Sequence, residues 1–408
     1  MINLSMKDSL EKIYQVVDDL ASSGSLKKYR VVSSPQGSWI TVDNKKVLNL
    51  CSNNYLGLAS DSKVKEASIK AIEKYGVGTG AVRALSGNSI LHEDLEISLA
   101  KFKGVEAVML VQSGFVANLI AVQTLIDKED IVISDELNHA SIIDAVKLSQ
   151  VQTKLIYPHN NLAGLEEKLV EAQNIQKEKR SDGTDKIILI ITDGVFSMDG
   201  DIAPLPGIVK LAKKYGAVTM VDDAHGEGVV GKGGRGIVDH FNLHGQIDIE
   251  VGTLSKAFGV LGGCIAGNKK LIEFYKQKAR PFSFSTGLSI PDTAALLESV
   301  KILSDSPLLV EKLWQNGEYL KNGFKKMGFN TGLSETPITP VMVGDEVLAR
   351  SLSQELFELG VFATPIVFPM VQKGMARIRV MPSAAHTVDD LDFGLKQFEK
   401  AGKKLGLI

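Results

Sequence analysis

The chain runs to 408 residues, enough for two domains, and its 44% hydrophobic and 23% charged residues are those of an ordinary globular protein. A formal net charge of -2 without a basic stripe gives no footprint for nucleic acid, and no apolar run reaches the length of a membrane span. Cys51 and Cys264 have neither disulfide-framework nor metal-ligand spacing, and the N-terminus lacks the order of a signal peptide, so a cytoplasmic protein is expected.

Leu10, Ile13, Tyr14, Val17 and Leu20 fall on one stripe of an amphipathic N-terminal helix. Two short strands follow, at 38–42 and 47–50. From about 105 to 265 short apolar runs alternate with helical patterns. The strands are expected at 107–111, 131–134, 155–157, 186–192, 217–221, 247–251 and 263–266, with helices at 115–126, 141–148, 162–179 and 205–215. Such alternation predicts an α/β fold with a mostly parallel sheet sandwiched by helices. Residues 180–185 read as a surface loop. Residues 231–236 fit G-x-G-x-x-G, but neither the strand before nor the helix after that a dinucleotide site requires is evident, so they too read as a loop. Beyond about 290 a long helical stretch, 294–326, precedes strands at 338–343 and 376–380, with helices at 346–359 and 388–405. The expected division is an N-terminal segment, 1–55, packing with a small domain; a large cofactor-binding domain, 56–290; and a small α+β domain, 291–408.

Polar clusters stand where the strands end. Asp222 and His225 follow the strand at 217–221, and Ser255 and Lys256 follow that at 247–251. Ligands of α/β sheets bind at the carboxyl ends of strands. A lysine and an acid at two such ends suit pyridoxal 5'-phosphate, whose aldehyde forms a Schiff base with lysine and whose ring nitrogen needs an acidic partner. A lone lysine in a turn is ordinarily solvated, but Lys256 does not stand alone. His225 would reach the cofactor's phenolic oxygen. A metal held by Asp222 and His225 is the rival reading, and it lacks a third ligand. Ser113-Gly114-Phe115 joins a strand to a helix whose first N–H groups suit a phosphate, with the hydroxyls of Thr253 and Ser255 as further donors. His139 follows the strand at 131–134 and would stack on the ring, unless its stretch caps a helix, a role suited to Ser141. Ser197 lies just past the most hydrophobic strand. Arg377 and Arg379 share one face of a half-buried strand; either suits a substrate carboxylate, and spacing does not choose between them.

In combination, TLSKAFG (253–259), VDDAHG (221–226), LNHASIID (137–144), TDGVFSMDGD (192–201) and the ARIR…SAAHT ending (376–387) resemble the α-oxoamine synthase family of fold-type-I pyridoxal-phosphate enzymes. The likeness covers nearly the whole chain, from Asn53 to Thr387. It implies that Lys256 carries the cofactor and acts as base, that Asp222 partners the ring nitrogen, and that His225 meets the phenolic oxygen. It further implies that His139 stacks on the ring and assists catalysis. Gly114 and Phe115 would bind phosphate through their backbone, and Ser197 would lie near the phenolic oxygen and the substrate carboxylate. The resemblance picks Arg379 for that carboxylate and places Asn53 beside the substrate. It also implies a homodimer with a shared site, in which Thr286 and Gly287 reach the phosphate of the neighbouring subunit. The implied reaction joins glycine to an acyl-CoA. The stretches look most like glycine C-acetyltransferase, with acetyl-CoA as donor and 2-amino-3-oxobutanoate and CoA as products. The alternative is an 8-amino-7-oxononanoate synthase, which uses alanine and pimeloyl-CoA and shares the Ala224, Gly226 and Ser-Gly-Phe features, or a broad-specificity α-oxoamine synthase that accepts several acyl-CoAs. A non-catalytic subunit would lack the lysine.

Overall fold

A computed structural model describes residues 4–22, 26 and 29–408, with backbone alone for 4–9. After a helix at Leu4–Ser22 come β1 (Trp39–Val42) and β2 (Lys45–Asn49), an antiparallel hairpin. Its turn residues Asp43 and Asn44 sit at φ 48° and 64°, a tight-turn conformation that short polar side chains tolerate. The stripe from Leu10 to Leu20 forms as expected and is exposed.

The large sheet comprises β3 (Ala107–Val111), β4 (Ile131–Asp135), β5 (Thr153–Tyr157), β6 (Ile188–Asp193), β7 (Val218–Asp222), β8 (Ile249–Thr253) and β9 (Gly263–Gly267). Its order is β3-β9-β8-β7-β6-β4-β5; β9 runs antiparallel to both neighbours and the other pairings are parallel. Helices Gly114–Leu125, Ala140–Leu148, Leu162–Gln176 and Leu205–Tyr215 connect the parallel strands. Side chains alternate across the pleat: Ile188 and Ile190 join one core while Leu189 and Ile191 join the other. Both faces are therefore covered, which is why β4, β6 and β8 are buried end to end. Because β3, β4, β6, β7 and β8 all point the same way, their carboxyl ends open on one edge. That edge carries the chemistry.

The helical stretch expected at 294–326 is two helices, Ile290–Asp305 and Leu308–Met327. Pro307 explains the break, since proline pushes the residue before it out of helical geometry, and Ser306 sits at φ -156° and ψ 135°. Beyond them lie β10 (Thr339–Gly344), helix Glu346–Glu358, β11 (Val361–Phe362), β12 (Pro365–Ile366), β13 (Ala376–Val380) and helix Val388–Lys404. β12 and β10 flank β13, and β11 pairs with β2, joining the first strands to the last third of the chain. Leu48, Phe324, Val341, Leu356, Val380 and Phe398 share one core there. Residues 231–236 form a short 3-10 turn ahead of the four-residue helix Ile237–His240. Among the described residues no helix is long and apolar enough to cross a membrane.

Asn316, buried in helix Leu308–Met327, donates to Ser383 O at 2.8 Å and His386 O at 3.0 Å, tying this helix to the turn after β13. Asn316→Leu keeps the branching of the side chain, adds bulk at its two termini and strands both carbonyls; a loss on the order of 2 kcal/mol is expected, read as a lower urea midpoint.

Candidate active site

A cavity of about 230 Å³ opens at the carboxyl edge. Nine of the expected residues line it: Gly114, Phe115, His139, Ser197, Asp222, His225, Thr253, Ser255 and Lys256. Lys256 is partly open to the cavity. Burial pulls its amine down to about 8, against the carboxylates of Asp222, Asp193 and Glu227, with Arg379 adding to the fall. Its proton therefore leaves near neutrality, as a nucleophilic lysine needs.

Asp222 ends β7 with both oxygens engaged. Asn118 Nδ2 donates to Oδ2 at 2.6 Å and the Ala224 N–H to Oδ1 at 2.9 Å, so the carboxylate is fixed in direction. The Tyr55 hydroxyl lies 2.7 Å from His225 Nδ1. Burial, aided by the positive charges of Lys256 and Arg379, holds the His225 ring well below its usual value and so neutral. His139 caps helix Ala140–Leu148: its Nδ1 accepts from the Ser141 N–H at 3.2 Å and faces Ser141 Oγ at 2.7 Å. The capping role thus falls to His139, not Ser141, and it fixes the ring at the cavity without removing it from the site. Partial burial lowers the His139 ring, with Asp222 opposing and Lys256 adding to the fall. Asp193, at the end of β6, accepts from the His139 N–H at 3.1 Å. Burial, then Asp222, hold its carboxyl well above the usual range.

Opposite this acidic wall, Ser113 caps helix Gly114–Leu125, whose first N–H groups lie beside the hydroxyls of Thr253 and Ser255, themselves 2.8 Å apart. A Cβ on Gly114 would stand 2.8 Å from Thr253 Cβ, and one on Gly263 would collide with the Ser113 backbone. Glycines at these two positions let the segments approach this closely, and free N–H groups at a helix start suit a phosphate. Arg379 donates to Ser197 O at 3.1 Å and Asn53 Oδ1 at 3.3 Å, beside a residue that lines the cavity. Arg377 turns elsewhere, paired with Asp199 and donating to Met198 O at 3.2 Å. Thr286 and Gly287 do not line this cavity; Thr286 bridges Val82 and accepts from Gln112 at 2.6 Å.

Tyr55, Asn118 and Asp193 complete the constellation without having been assigned roles from the sequence. Asn118 lies on an apolar helix, where a single buried amide was the available signal. Tyr55 lies about 170 residues from its partner, and nothing local links the two. Among the described residues no group of three or more His, Cys, Asp and Glu is placed to hold a metal ion.

The residues fit pyridoxal phosphate. Asn118 Oδ1 and Asp193 Oδ1 are buried and have no hydrogen-bond partner among the described residues, glycines line the cradle, and an amine and a fixed carboxylate face one cavity. The aminotransferase class I and II model matches residues 45–398. The chain is similar to the 8-amino-7-oxononanoate synthase of Fervidobacterium nodosum, 58% identical over 400 residues, covering 97% of this chain and 99% of that protein. The enzyme of the same name from Thermosipho melanesiensis is 58% identical over 392 residues, covering 96% and 97%. Among solved structures it is similar to a serine palmitoyltransferase from S. paucimobilis with a bound PLP–myriocin aldimine. That structure is 31% identical, covers 98% of this chain and 99% of its own, and superposes with a TM-score of 0.89.

Two measurements check the geometry. Uptake of pyridoxal phosphate by the cofactor-free protein should accelerate as pH rises and level off above about 8, where the Lys256 amine is neutral. Gly114→Ala should weaken cofactor affinity about tenfold or more, a loss of roughly 1.4 kcal/mol, in equilibrium dialysis.

Proposed function

We propose that this chain, which belongs to the aminotransferase class I and II family and within it to the pyridoxal-phosphate-dependent α-oxoamine synthases, condenses alanine with pimeloyl-CoA. The cofactor, the fold and the acyltransferase class follow from that membership. The choice of substrates is the proposal. Glycine with acetyl-CoA, favoured by the motifs, gives way to the alternative because relatives matched over nearly their full length carry the other name. The motifs lie at the cofactor, where all α-oxoamine synthases do the same chemistry, so they report little about the acyl group.

The observation that carries the reading is a second cavity, of about 470 Å³, that shares Ser197 with the first. Leu137, Phe196, Leu333, Met342, Met370 and Met375 give it a mainly apolar wall, with His159, Asp199, Asp201 and Arg377 among its polar lining, and it is larger than an acetyl group requires. Flexible methionine side chains suit a methylene chain.

When bound, pyridoxal phosphate supplies an aldehyde that captures the amino acid and a ring that stabilises negative charge at its α-carbon. Lys256 would hold it, with Gly114, Phe115, Thr253 and Ser255 about the phosphate, Asp222 at the ring nitrogen, His225 and Ser197 toward the phenolic oxygen, and His139 against the ring. The chain's own groups then perform the proton work. The Lys256 nitrogen takes the α-proton and later returns one. Asp222, anchored by Asn118, keeps the ring nitrogen protonated. Arg379, steadied by Ser197 and Asn53, grips the amino acid's carboxylate. His139, with Nδ1 engaged, presents Nε2 to the thioester carbonyl. Overall, a C–C bond forms to that carbonyl, the C–S bond breaks to release CoA, and alanine's carboxyl group departs as carbon dioxide.

The same reading makes the protein a homodimer. Its support is the Val82–Thr286 bridge, which sets two segments side by side, together with exposed Leu85 and Phe284 at 80% and 78%. Thr286 and Gly287 would then serve the partner's phosphate.

A CoA-release assay across acyl-CoAs and amino acids is the test. Alanine with pimeloyl-CoA should exceed glycine with acetyl-CoA by about tenfold or more in kcat/KM; the reverse order returns the protein to glycine acetylation. Arg379→Lys should raise KM for alanine more than it lowers kcat, since an ammonium cannot reproduce the fork.

A further inference from the structure

Beneath the site lies a set of buried charges that the reaction as derived does not use. Lys103, 1% exposed at the end of helix Ile90–Lys103, donates to Glu227, 2% exposed, and faces Glu250 Oε2 at 3.1 Å, 4% exposed. Asp223 is wholly buried beside them and accepts from the Ile237 N–H at 3.0 Å. Cys264 Sγ lies 3.9 Å from Glu227 Oε1. Three carboxylates thus surround one ammonium. Asp223 Oδ1 and Glu227 Oε2 have no hydrogen-bond partner among the described residues. One carboxylate would suffice to neutralise Lys103. Surplus buried charge costs stability, and sequences keep such costs where function requires them.

The surplus lies against the strand that leads to Lys256. Glu227 belongs to the turn that begins at Asp222 and passes through His225 to Gly228. A Cβ on Gly252 would collide with the Glu227 carboxylate, and one on Gly228 would collide with the Ala257 methyl. The turn of Asp222 therefore lies directly on the strand and loop that present Lys256. Around Lys256 stand Asp222, Asp193 and Glu227 on the acidic side and Arg379, His139 and His225 on the basic side. Around Glu227 stand Lys103, Glu250, Asp222, Asp223 and Cys264.

We propose that Glu227 is a positioning residue for the reaction. Paired with Lys103 and laid on Gly252, it clamps the turn of Asp222 and His225 to the loop of Lys256, and it supplies the surplus negative charge that keeps a proton within reach of the Lys256 nitrogen. Burial and the nearby Glu227 hold the Asp223 carboxyl well above its usual range, against the pull of Lys103. Burial raises the Glu227 carboxyl as well, opposed by the charge and the hydrogen bond of Lys103; because Lys103 donates directly to Glu227 and not to Asp223, Glu227 is the better stabilised anion of the two. The inference depends on the family's cofactor and not on the acyl donor, so its readout needs no thioester and its failure is separable from failure of the alanine assignment.

The test is a pH titration of the visible absorbance of cofactor-loaded protein. Glu227→Gln keeps an acceptor for Lys103, whose charge Glu250 still balances, so the fold should survive with an equal or higher thermal midpoint. The titration midpoint should fall by about one pH unit as one nearby negative charge is lost. Glu227→Asp, which keeps the charge, should restore at least half of that shift. An unchanged midpoint in Glu227→Gln overturns the proposal whatever happens to stability, because a merely structural ion pair would move the melting curve alone. Should Glu227→Gln fail to hold cofactor, Glu250→Gln leaves the Lys103–Glu227 contact in place and is read the same way. A lower midpoint supports the proposal and an unchanged one overturns it.

Discussion

An amine and a carboxylate, Lys256 and Asp222, face one cavity from the ends of adjacent strands, and much of the molecule serves to keep them there. β7 and β8 run parallel, with Asp222 opposite Val251 in register, so both chains leave the sheet on the same edge. Two antiparallel strands would send successive loops to opposite edges. The one reversed strand near the site, β9, obeys the same geometry: its first residue, Gly263, lies against the Ser113 backbone, and its last lies at the far edge. Direction of the chain, set by helical crossovers, thus decides which residues meet.

The electrostatics follow from that placement. Asp193 and Asp222 are buried beside Lys256, so the Asp193 carboxyl and the Lys256 amine each respond to their neighbours' charges as well as to burial. Asn118 and the Ala224 amide fix Asp222 in direction, Tyr55 occupies one side of the neutral His225, and His139 is pinned by the helix it caps. Side chains so restrained lose little freedom when a ligand arrives, which is the structural meaning of a prepared site.

Much of this was legible in the sequence because strand ends are local signals. Apolar runs at 131–134, 186–192, 217–221 and 247–251 each end in a polar cluster, and each cluster's chemistry lands where the strand delivers it. Arg379 needed the family resemblance, since Arg377 has the same spacing and differs only in pairing with Asp199. Asn118 and Tyr55 reach the site through tertiary contacts that no periodicity encodes. The break at Pro307 was masked by helical patterns on either side of it. The proposed acyl donor was the least legible feature: Leu137 and Phe196 of the second cavity fall within motifs, but Leu333, Met342, Met370 and Met375 fall in none.

The two cavities have Ser197 in common and, among the described residues lining them, nothing else. One chamber is bound by charge balance, cradle geometry and glycines that admit no side chain. The other is walled mainly by apolar groups on separate segments, with His159, Asp199, Asp201 and Arg377 among them. If the second chamber takes the acyl donor, as proposed, a lineage can exchange one donor for another by remodelling that chamber alone, with the cofactor machinery left intact, so diversification is expected to accumulate on one side of that serine.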